Sequence, residues 1–351
     1  MQRPDRNSLK QYVNHEMRNA VEAELESHRQ ILELIDKAVE CPEYESGLDL
    51  NAGIKAFEES VLEQIDALRA VMRVLSGQAR QQIANGQQED AACTCRKMFR
   101  ICRHFDQVPS LECYLAATKC RLAAVNKANQ AMRIGSLPVA VRDDLEAELA
   151  RHETDEPYQT ALITEYAYAL QSFREFGSDT SSYNHEPPWM TGDPRRHFGH
   201  FDVALSQSGF PYGEACRAMA KYSLQVNPNQ GICPVFTPLA PTLYAACELR
   251  TQLRALRILN VLHRQPCAAG STLPQLSDLA LPPIAIIDPY NGGPLHLKQR
   301  PGGWLIYAVG TNLHDDGGRL PDEMPGSSSV DIGLGPQLVT ENGEAIAPNE
   351  P

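Results

Sequence analysis

The stretch ANGQQEDAACTCRKMFRICRHF, residues 84–105, contains the pattern that decides the fold of this chain. Asn85-Gly86 is typical of the end of a helix, because glycine readily adopts the left-handed conformation that closes the last turn. Beyond this break, apolar side chains recur every three or four residues and therefore share one helix face; they are Ala91, Cys95, Met98, Cys102 and Phe105. Two amphipathic helices with so short a connection pack antiparallel, so the stretch predicts a helical hairpin.

The same periodicity continues on both sides of this hairpin. Upstream, one apolar stripe contains Ile65, Leu68, Met72, Leu75 and Ala79. Downstream, small residues between Cys113 and Ala131 repeat on one face, where they would let a neighbouring helix approach closely. Further helices are predicted over Val139–His152, Tyr158–Phe176, His197–Ser206, Gly213–Leu224 and Leu239–Leu262. Because the 34-residue tetratricopeptide consensus is absent, we predict an irregular array of helical hairpins.

The last third of the chain carries short strand signals instead. Ile284–Ile287 is a β-rich run, and Leu295–Lys298 and Trp304–Val309 flank an Arg-Pro-Gly-Gly turn that predicts a hairpin. The predicted fold is therefore mainly α, with an antiparallel helical-hairpin array followed by a long helix packed on a small antiparallel β-meander. The predicted divisions are the array (1–176), a loop-rich helical segment continuing it (177–236), the helix plus β-meander module (237–332) and a disordered tail (333–351).

Composition and charge exclude several classes of protein. The chain has 351 residues, 42% of them hydrophobic, and a formal net charge of −12. This charge argues against nucleic acid or an anionic membrane surface as the main partner. No run of 18 apolar residues and no signal peptide is visible, so the chain alone predicts a cytoplasmic protein. If an N-terminal anchor has been removed, the expected location is the cell envelope.

Cysteine spacing points to buried thiols. The ten cysteines form no C-x-x-C pair. Cys95 and Cys102 are seven residues apart, as are Cys113 and Cys120, which is the spacing of core positions on one helix face. We expect reduced core thiols, because a free cysteine behaves as a small buried hydrophobe. One or more disulfides across adjacent helices, or a metal site, remain as alternatives.

An acidic loop after Gly310 is the strongest candidate site. Residues 310–351 hold eight acidic residues and one basic residue, Arg319, and so carry −7 of the net charge of −12. Calcium takes six to eight oxygen ligands on flexible loops, and glycines let carbonyl oxygens turn inward. The spacing is not that of an EF-hand. The candidate calcium ligands are Asn312, Asp315, Asp316, Asp322 and Asp331, with Glu323 nearby. The alternative is a solvated acidic loop.

Two parts of the chain resemble known families. DPYNGGPLHLKQRPGGWLIYAVGTNLHDDGG, residues 288–318, is similar to the C-terminal β-meander of the major pseudopilin of type II secretion. That resemblance implies a preceding long helix, here Leu239–Leu262, and a calcium-binding loop that ends in Asp-Ile, here Asp331-Ile332. The amino-terminal helices, with ILELIDKAVECPEYE, resemble a large uncharacterised family from planctomycete bacteria, often found behind a membrane anchor. The family implies no known activity, and we expect membrane contact only through an anchor outside this chain.

The remaining candidates are weaker. His197 and His200 would share a helix face and could chelate a metal, with His185, Asp193 and Asp202 nearby. The alternative is a polar helix start beside packed phenylalanines. Arg250, Arg254 and Arg257 form a basic stripe that either binds an acidic partner or pairs with neighbouring acids.

Two functions follow from these observations. No nucleophile elbow, P-loop or dinucleotide fingerprint is present, so we identify no catalytic residue. The first hypothesis is a non-enzymatic structural or protein-interaction protein, with a protein partner and a calcium-stabilised C-terminal loop. The alternative is an enzyme, such as a metal-dependent hydrolase, with its site near His197 and His200 between the array and segment 177–236.

Overall fold

The computed structural model describes residues 20–49 (except 21 and 24), 53–178, 194–225, 239–263, 274–321 and 330–336. Over these residues the protein is mainly helical with one small antiparallel sheet, which confirms the predicted fold class. The helices are α1 (Arg29–Ala38), α2 (Ile54–Ala84), α3 (Gln88–Phe105), α4 (Leu111–Ile134), α5 (Val139–Arg151), α6 (Glu156–Ser178), α7 (Pro194–Ser206), α8 (Tyr212–Gln225) and α9 (Leu239–Leu262). No helix in the described ranges is long and apolar enough to cross a membrane.

The connection between α2 and α3 has the geometry that its sequence predicts. Gly86 follows the helix end with φ of +71°, a backbone conformation that costs other residues free energy. The N–H of Gly86 donates to the carbonyl of Ile83, and the N–H of Gln87 donates to that of Gln82. These two bonds form a Schellman motif, which satisfies carbonyls at the helix end and turns the chain back.

Helices α2, α3 and α4 form the centre of the array. The apolar stripes predicted from the sequence are buried there, including Leu68 and Leu75 on α2, and Cys95 and Cys102 on α3. On α4 the stripe of small residues is also buried, so its backbone lies close to its neighbours. Helix α9 packs against α4 and α5 on one side and against the sheet on the other.

Buried ion pairs join α9 to α5. Arg254 Nε donates to Glu153 Oε1 at 2.6 Å, and Arg257 Nε donates to Glu146 Oε1 at 2.8 Å. Arg257 also pairs with Glu153. The side chains of Arg254 and Glu153 are each only 6% exposed, and burial lowers the pKa of Arg254 to about 10. The basic stripe of α9 therefore pairs with neighbouring acids, which confirms that interpretation of the sequence.

Removing Glu153 from this network should be costly. In Glu153→Gln two buried guanidinium groups lose their shared counter-charge, so we expect unfolding free energy to fall by about 3 kcal/mol. The measurement is chemical denaturation. Glu33→Gln is the control, because Glu33 forms an exposed pair with Arg29 and should change stability by under ~0.5 kcal/mol. Equal effects in the two variants would contradict the structural role given to Glu153.

The sheet has strand order β1-β2-β3, with β1 (His296–Arg300), β2 (Gly303–Ala308) and β3 (Ile332–Leu334), all antiparallel. The hairpin prediction is confirmed, with strand ends shifted by one or two residues. The strand signal at Ile284–Ile287 is wrong, because Pro283–Ile286 forms a 3₁₀ helix. A proline at the first position presets the helical φ, and only Ile287 makes a β-bridge, to Pro294.

Candidate functional site in the C-terminal loop

A buried carboxylate fixes the turn that leads into the sheet. Asp288 is fully buried, and its side chain accepts the N–H of Tyr290 at 2.6 Å and the N–H of Val309 at 3.0 Å. The backbone N–H of Asp288 donates to the carbonyl of Gly293. One carboxylate therefore holds the Asp-Pro turn against the end of β2, where the acidic loop begins.

A second buried carboxylate holds the acidic loop itself. Asp331 is fully buried, and its two side-chain oxygens accept the N–H of Asp316 at 3.2 Å and the N–H of Gly318 at 2.7 Å. Its own N–H donates to the carbonyl of Arg319 at 2.8 Å. Ile332, buried in the core, anchors the segment beside it. Asp331 thus ties residues 316–319 to the start of β3.

The loop covers the outer face of the sheet. Gly318 has φ of +78°, and a Cβ there would lie 2.7 Å from Leu305 Cδ2 and 3.2 Å from Tyr307 Cε1. Only glycine allows so close an approach. Leu305 and Tyr307 are buried beneath the loop, while Ile306 and Ala308 belong to the main core on the other face. Strand β2 is therefore buried on both faces.

Asp315 contacts the polar atoms of two rings on this outer face. Its Oδ1 accepts from Tyr307 Oη at 3.2 Å and from the N–H of Gly317 at 2.8 Å. Its Oδ2 lies 3.5 Å from His296 Nδ1. The His296 and Tyr307 rings are stacked, with centroids 4.9 Å apart and planes at 17°. These contacts leave the carboxylate partly exposed, with 44% of its side-chain surface open to solvent.

Cationic side chains from β1 also hold the loop. Lys298 Nζ donates to the carbonyl of Gly317 at 2.6 Å, and Arg300 donates to the carbonyl of Gly318. On the other side, Asn312 Nδ2 donates to Asp316 Oδ2 at 2.7 Å. The loop is therefore closed by hydrogen bonds to side chains and backbone on both sides.

The carboxylates of this loop are close enough to influence one another. Burial raises the pKa of Asp331 above its ordinary value, its two backbone N–H donors oppose that rise, and the charges of Asp315 and Asp316 add to it. A cation bound here would relieve this repulsion, and oxygen donors of this kind suit a hard cation such as Ca²⁺.

Four of the five predicted calcium ligands lie on or beside one loop. Asn312, Asp315 and Asp316 lie on the loop that Asp331 holds, whereas Asp322, like Glu323, lies outside the described residues. Within the described part of the chain, no group of three or more His, Cys, Asp or Glu side chains is arranged to hold a metal ion. Calcium binding therefore stays a prediction.

The histidine candidate near α7 is only partly described. His200 is half-buried, and its ring packs edge-on against Tyr222 with centroids 4.8 Å apart. Phe198 and Phe201 pack against Tyr166, as the alternative interpretation of this segment expected. The His197 side chain, His185 and Asp193 lie outside the described residues. The metal hypothesis for this segment is not tested by these contacts.

A buried polar cluster between α3, α4 and α5 is not predicted by the sequence pattern. Arg121 is 2% exposed, pairs with Asp106, and donates from Nε to His152 Nδ1 at 3.1 Å. A cavity of about 20 Å³ beside these residues is large enough for a single water molecule. Arg121 also donates to the carbonyl of Cys102 at 3.0 Å, so the cluster helps to fix α3 against α4.

Glu165 on α6 is a second buried acid that sequence periodicity did not single out. It is 9% exposed, and burial, with a smaller contribution from Glu112, raises its pKa to about 7. The folded protein therefore retains a proton between about pH 4.5 and pH 7 that an unfolded chain releases. Stability consequently falls as the pH rises through that window.

Glu165→Gln should remove this pH dependence. At pH 8 the variant should be more stable than the wild type by on the order of 2 kcal/mol, and near pH 4 the two should be similar. Denaturant titrations at a series of pH values measure the difference. Glu63→Gln, an exposed acid on α2, serves as the control and should show no such crossover. A constant difference at all pH values would refute the raised pKa.

Comparison with known proteins adds no identification. No known protein family, curated protein or solved structure matches this chain. The resemblance to the pseudopilin module and to the planctomycete family therefore rests on the quoted residues alone.

Proposed function

We propose that this chain is a non-enzymatic structural or protein-interaction protein whose C-terminal loop, Gly310–Gly318 with Asp331, is stabilised by Ca²⁺. The observation that carries the proposal is that the buried carboxylates of the chain hold its backbone and its long helix in place. Asp288 and Asp331 each accept two backbone N–H groups and so shape a surface loop. Glu153 holds the long helix in place. These acids have structural partners, and the result is a rigid frame that presents a loop.

Calcium would act within this frame as a structural ion. Asn312, Asp315, Asp316 and Asp331, with Asp322 as a further ligand, supply carboxylate and amide oxygens for it. The ion would neutralise the charges of Asp315 and Asp316, which add to the rise in the pKa of Asp331 that burial causes. It would strengthen a loop that Lys298 and Arg300 already hold through its carbonyls.

The calcium proposal predicts a calcium-dependent melting temperature. Calcium at about 100 times its Kd should stabilise the wild type by roughly 2.7 kcal/mol over chelator. Asp316→Asn should lose most of this response, because it removes a ligand charge while Asp331 keeps its two N–H donors. The measurement is differential scanning calorimetry.

Two controls make this calorimetric test specific. Asp278→Asn changes an exposed acid in the same module and should keep the full calcium response. Asp331→Asn should lower the melting temperature even in chelator, because it disturbs the backbone contacts. Identical melting of the wild type with calcium and with chelator would sink the calcium proposal.

The partner is expected to be a protein, because the net charge of −12 disfavours nucleic acid. Helix α1 offers an apolar surface for it. Ile35 is buried, yet Ile31 and Leu34 on the same helix are 42% and 63% exposed. On the neighbouring α2, Leu62 is 55% exposed. Contiguous exposed apolar patches are typical of contact surfaces, and we propose that these side chains form one.

A photo-crosslinking amino acid at position 34 tests the interaction. In cells of the source organism it should give a discrete protein adduct, whereas the same group at position 33, an exposed glutamate on α1, should give little. The readout is a mass-shifted band and its identification. The absence of any adduct from position 34, together with unchanged melting in calcium, would leave neither part of the proposal standing.

A further inference from the structure

A cleft of about 250 Å³ lies between the end of α1 and one face of α3. The α1 side contributes Asp36, Val39 and Glu40. The other side is formed by four residues that share a face of α3, and these are Cys93, Arg96, Lys97 and Arg100. His104 Nε2 donates to the carbonyl of Ala38 at 3.1 Å, so the end of α1 is held beside α3. The cleft therefore has two fixed walls.

The cations of this cleft are less exposed than its acids. The side chains of Arg96, Lys97 and Arg100 are 19–30% exposed, whereas those of Asp36 and Glu40 are 54% and 73% exposed. Lys97 pairs with Asp36, and Arg100 Nη1 donates to Glu40 Oε1 at 2.7 Å. Such pairs with solvent-exposed acids contribute little stability. Three cations face two acids, so the lining carries one net positive charge, and a stronger anion can take the place of the acids.

The two arginines keep hydrogen-bond donors that the fold does not use. The Nε atoms of Arg96 and Arg100 are buried and have no hydrogen-bond partner among the residues that the structure describes. Arg96 Nη1 pairs with Asp144, and Arg100 Nε lies 3.5 Å from Oε2 of the buried Glu148. Glu148 shares its single charge with two further arginines, Arg103 and Arg151. An oxyanion ligand would satisfy the unused donors once the guanidinium groups turn toward it.

We propose that this cleft binds a small molecule that carries a phosphate group. Guanidinium groups match phosphate oxygens in a two-pronged geometry, and Lys97 adds a third positive charge. A phosphate dianion carries more charge than each carboxylate that now occupies the cleft, so it can displace them. The volume is below that of a typical pocket for a drug-sized ligand, which favours a compact ligand over a folded partner. The proposal does not depend on the calcium site.

The site is a local one in an acidic protein. The net charge of −12 repels an anion at long range, but charges separated by more than about 8 Å are largely screened at physiological ionic strength. The three nearby cations therefore decide the affinity. We expect binding to weaken as salt concentration rises, because the contacts are ionic.

The test is isothermal titration calorimetry of the full-length protein with pyrophosphate. Wild type should bind one pyrophosphate, and succinate, whose two ends are single carboxylates, should bind roughly tenfold more weakly. Lys97→Gln should weaken pyrophosphate binding roughly tenfold without a change in melting temperature, because its partner Asp36 is exposed. Asp36→Asn should strengthen binding roughly threefold, since it removes a competing acid. Arg69→Gln, which removes an exposed arginine of α2, is the control and should bind like the wild type.

Cys93 reports whether the ligand occupies this cleft. It is half-buried in the lining, whereas Cys41 is exposed and lies outside the lining. Pyrophosphate should slow alkylation of Cys93 by N-ethylmaleimide and leave the rate at Cys41 unchanged, as measured by peptide mass spectrometry. Absence of saturable pyrophosphate binding, equal affinities of wild type, Lys97→Gln and Asp36→Asn, or binding without protection of Cys93 would each overturn the proposal. A phosphoserine peptide that binds more tightly than pyrophosphate would assign the cleft to a protein and overturn the small-molecule ligand.

Discussion

The rest of the molecule depends on the two contacts that the guanidinium of Arg254 makes. It pairs with Glu153 at the end of α5 and donates from Nη1 to the carbonyl of Ile287 at 2.7 Å, so it joins the array to the segment that enters the sheet. Buried ion pairs add little net stability over an apolar pair of the same shape, but removal of one partner is costly. This contact therefore works mainly by fixing where α9 lies, and the sheet follows from that position.

Beyond Ile287, buried carboxylates hold the following segments of the chain in place. Asp288 is the next residue, and its carboxylate holds the turn to Val309. Beyond β2, the carboxylate of Asp331 likewise accepts backbone N–H groups and holds the loop over the outer face of the sheet. So small a sheet is stable only when its apolar surface is covered. Helix α9 supplies one layer, and the loop fixed by Asp331 supplies the other.

In this construction the acids of the loop serve structure, and the same acids would bind the cation that we propose. Asp331 is committed to backbone N–H groups, whereas Asp315 remains partly exposed beside His296 and Tyr307. Repulsion among the carboxylates is partly balanced by Lys298 and Arg300, which bind the loop carbonyls.

The sequence by itself determined the helices and the β1–β2 hairpin, because periodicity and glycine turns are local properties. It also identified Asp315, Asp316 and Asp331 as neighbours in a loop, since they lie close in sequence. The strand predicted over Ile284–Ile287 is wrong, because Pro282 and Pro283 favour a 3₁₀ helix there. Only the tertiary structure decided that Arg254 meets Glu153 and that Asp331 faces inward. These contacts join residues far apart in the sequence and depend on how the helices pack. A local sequence pattern does not specify which distant residues meet.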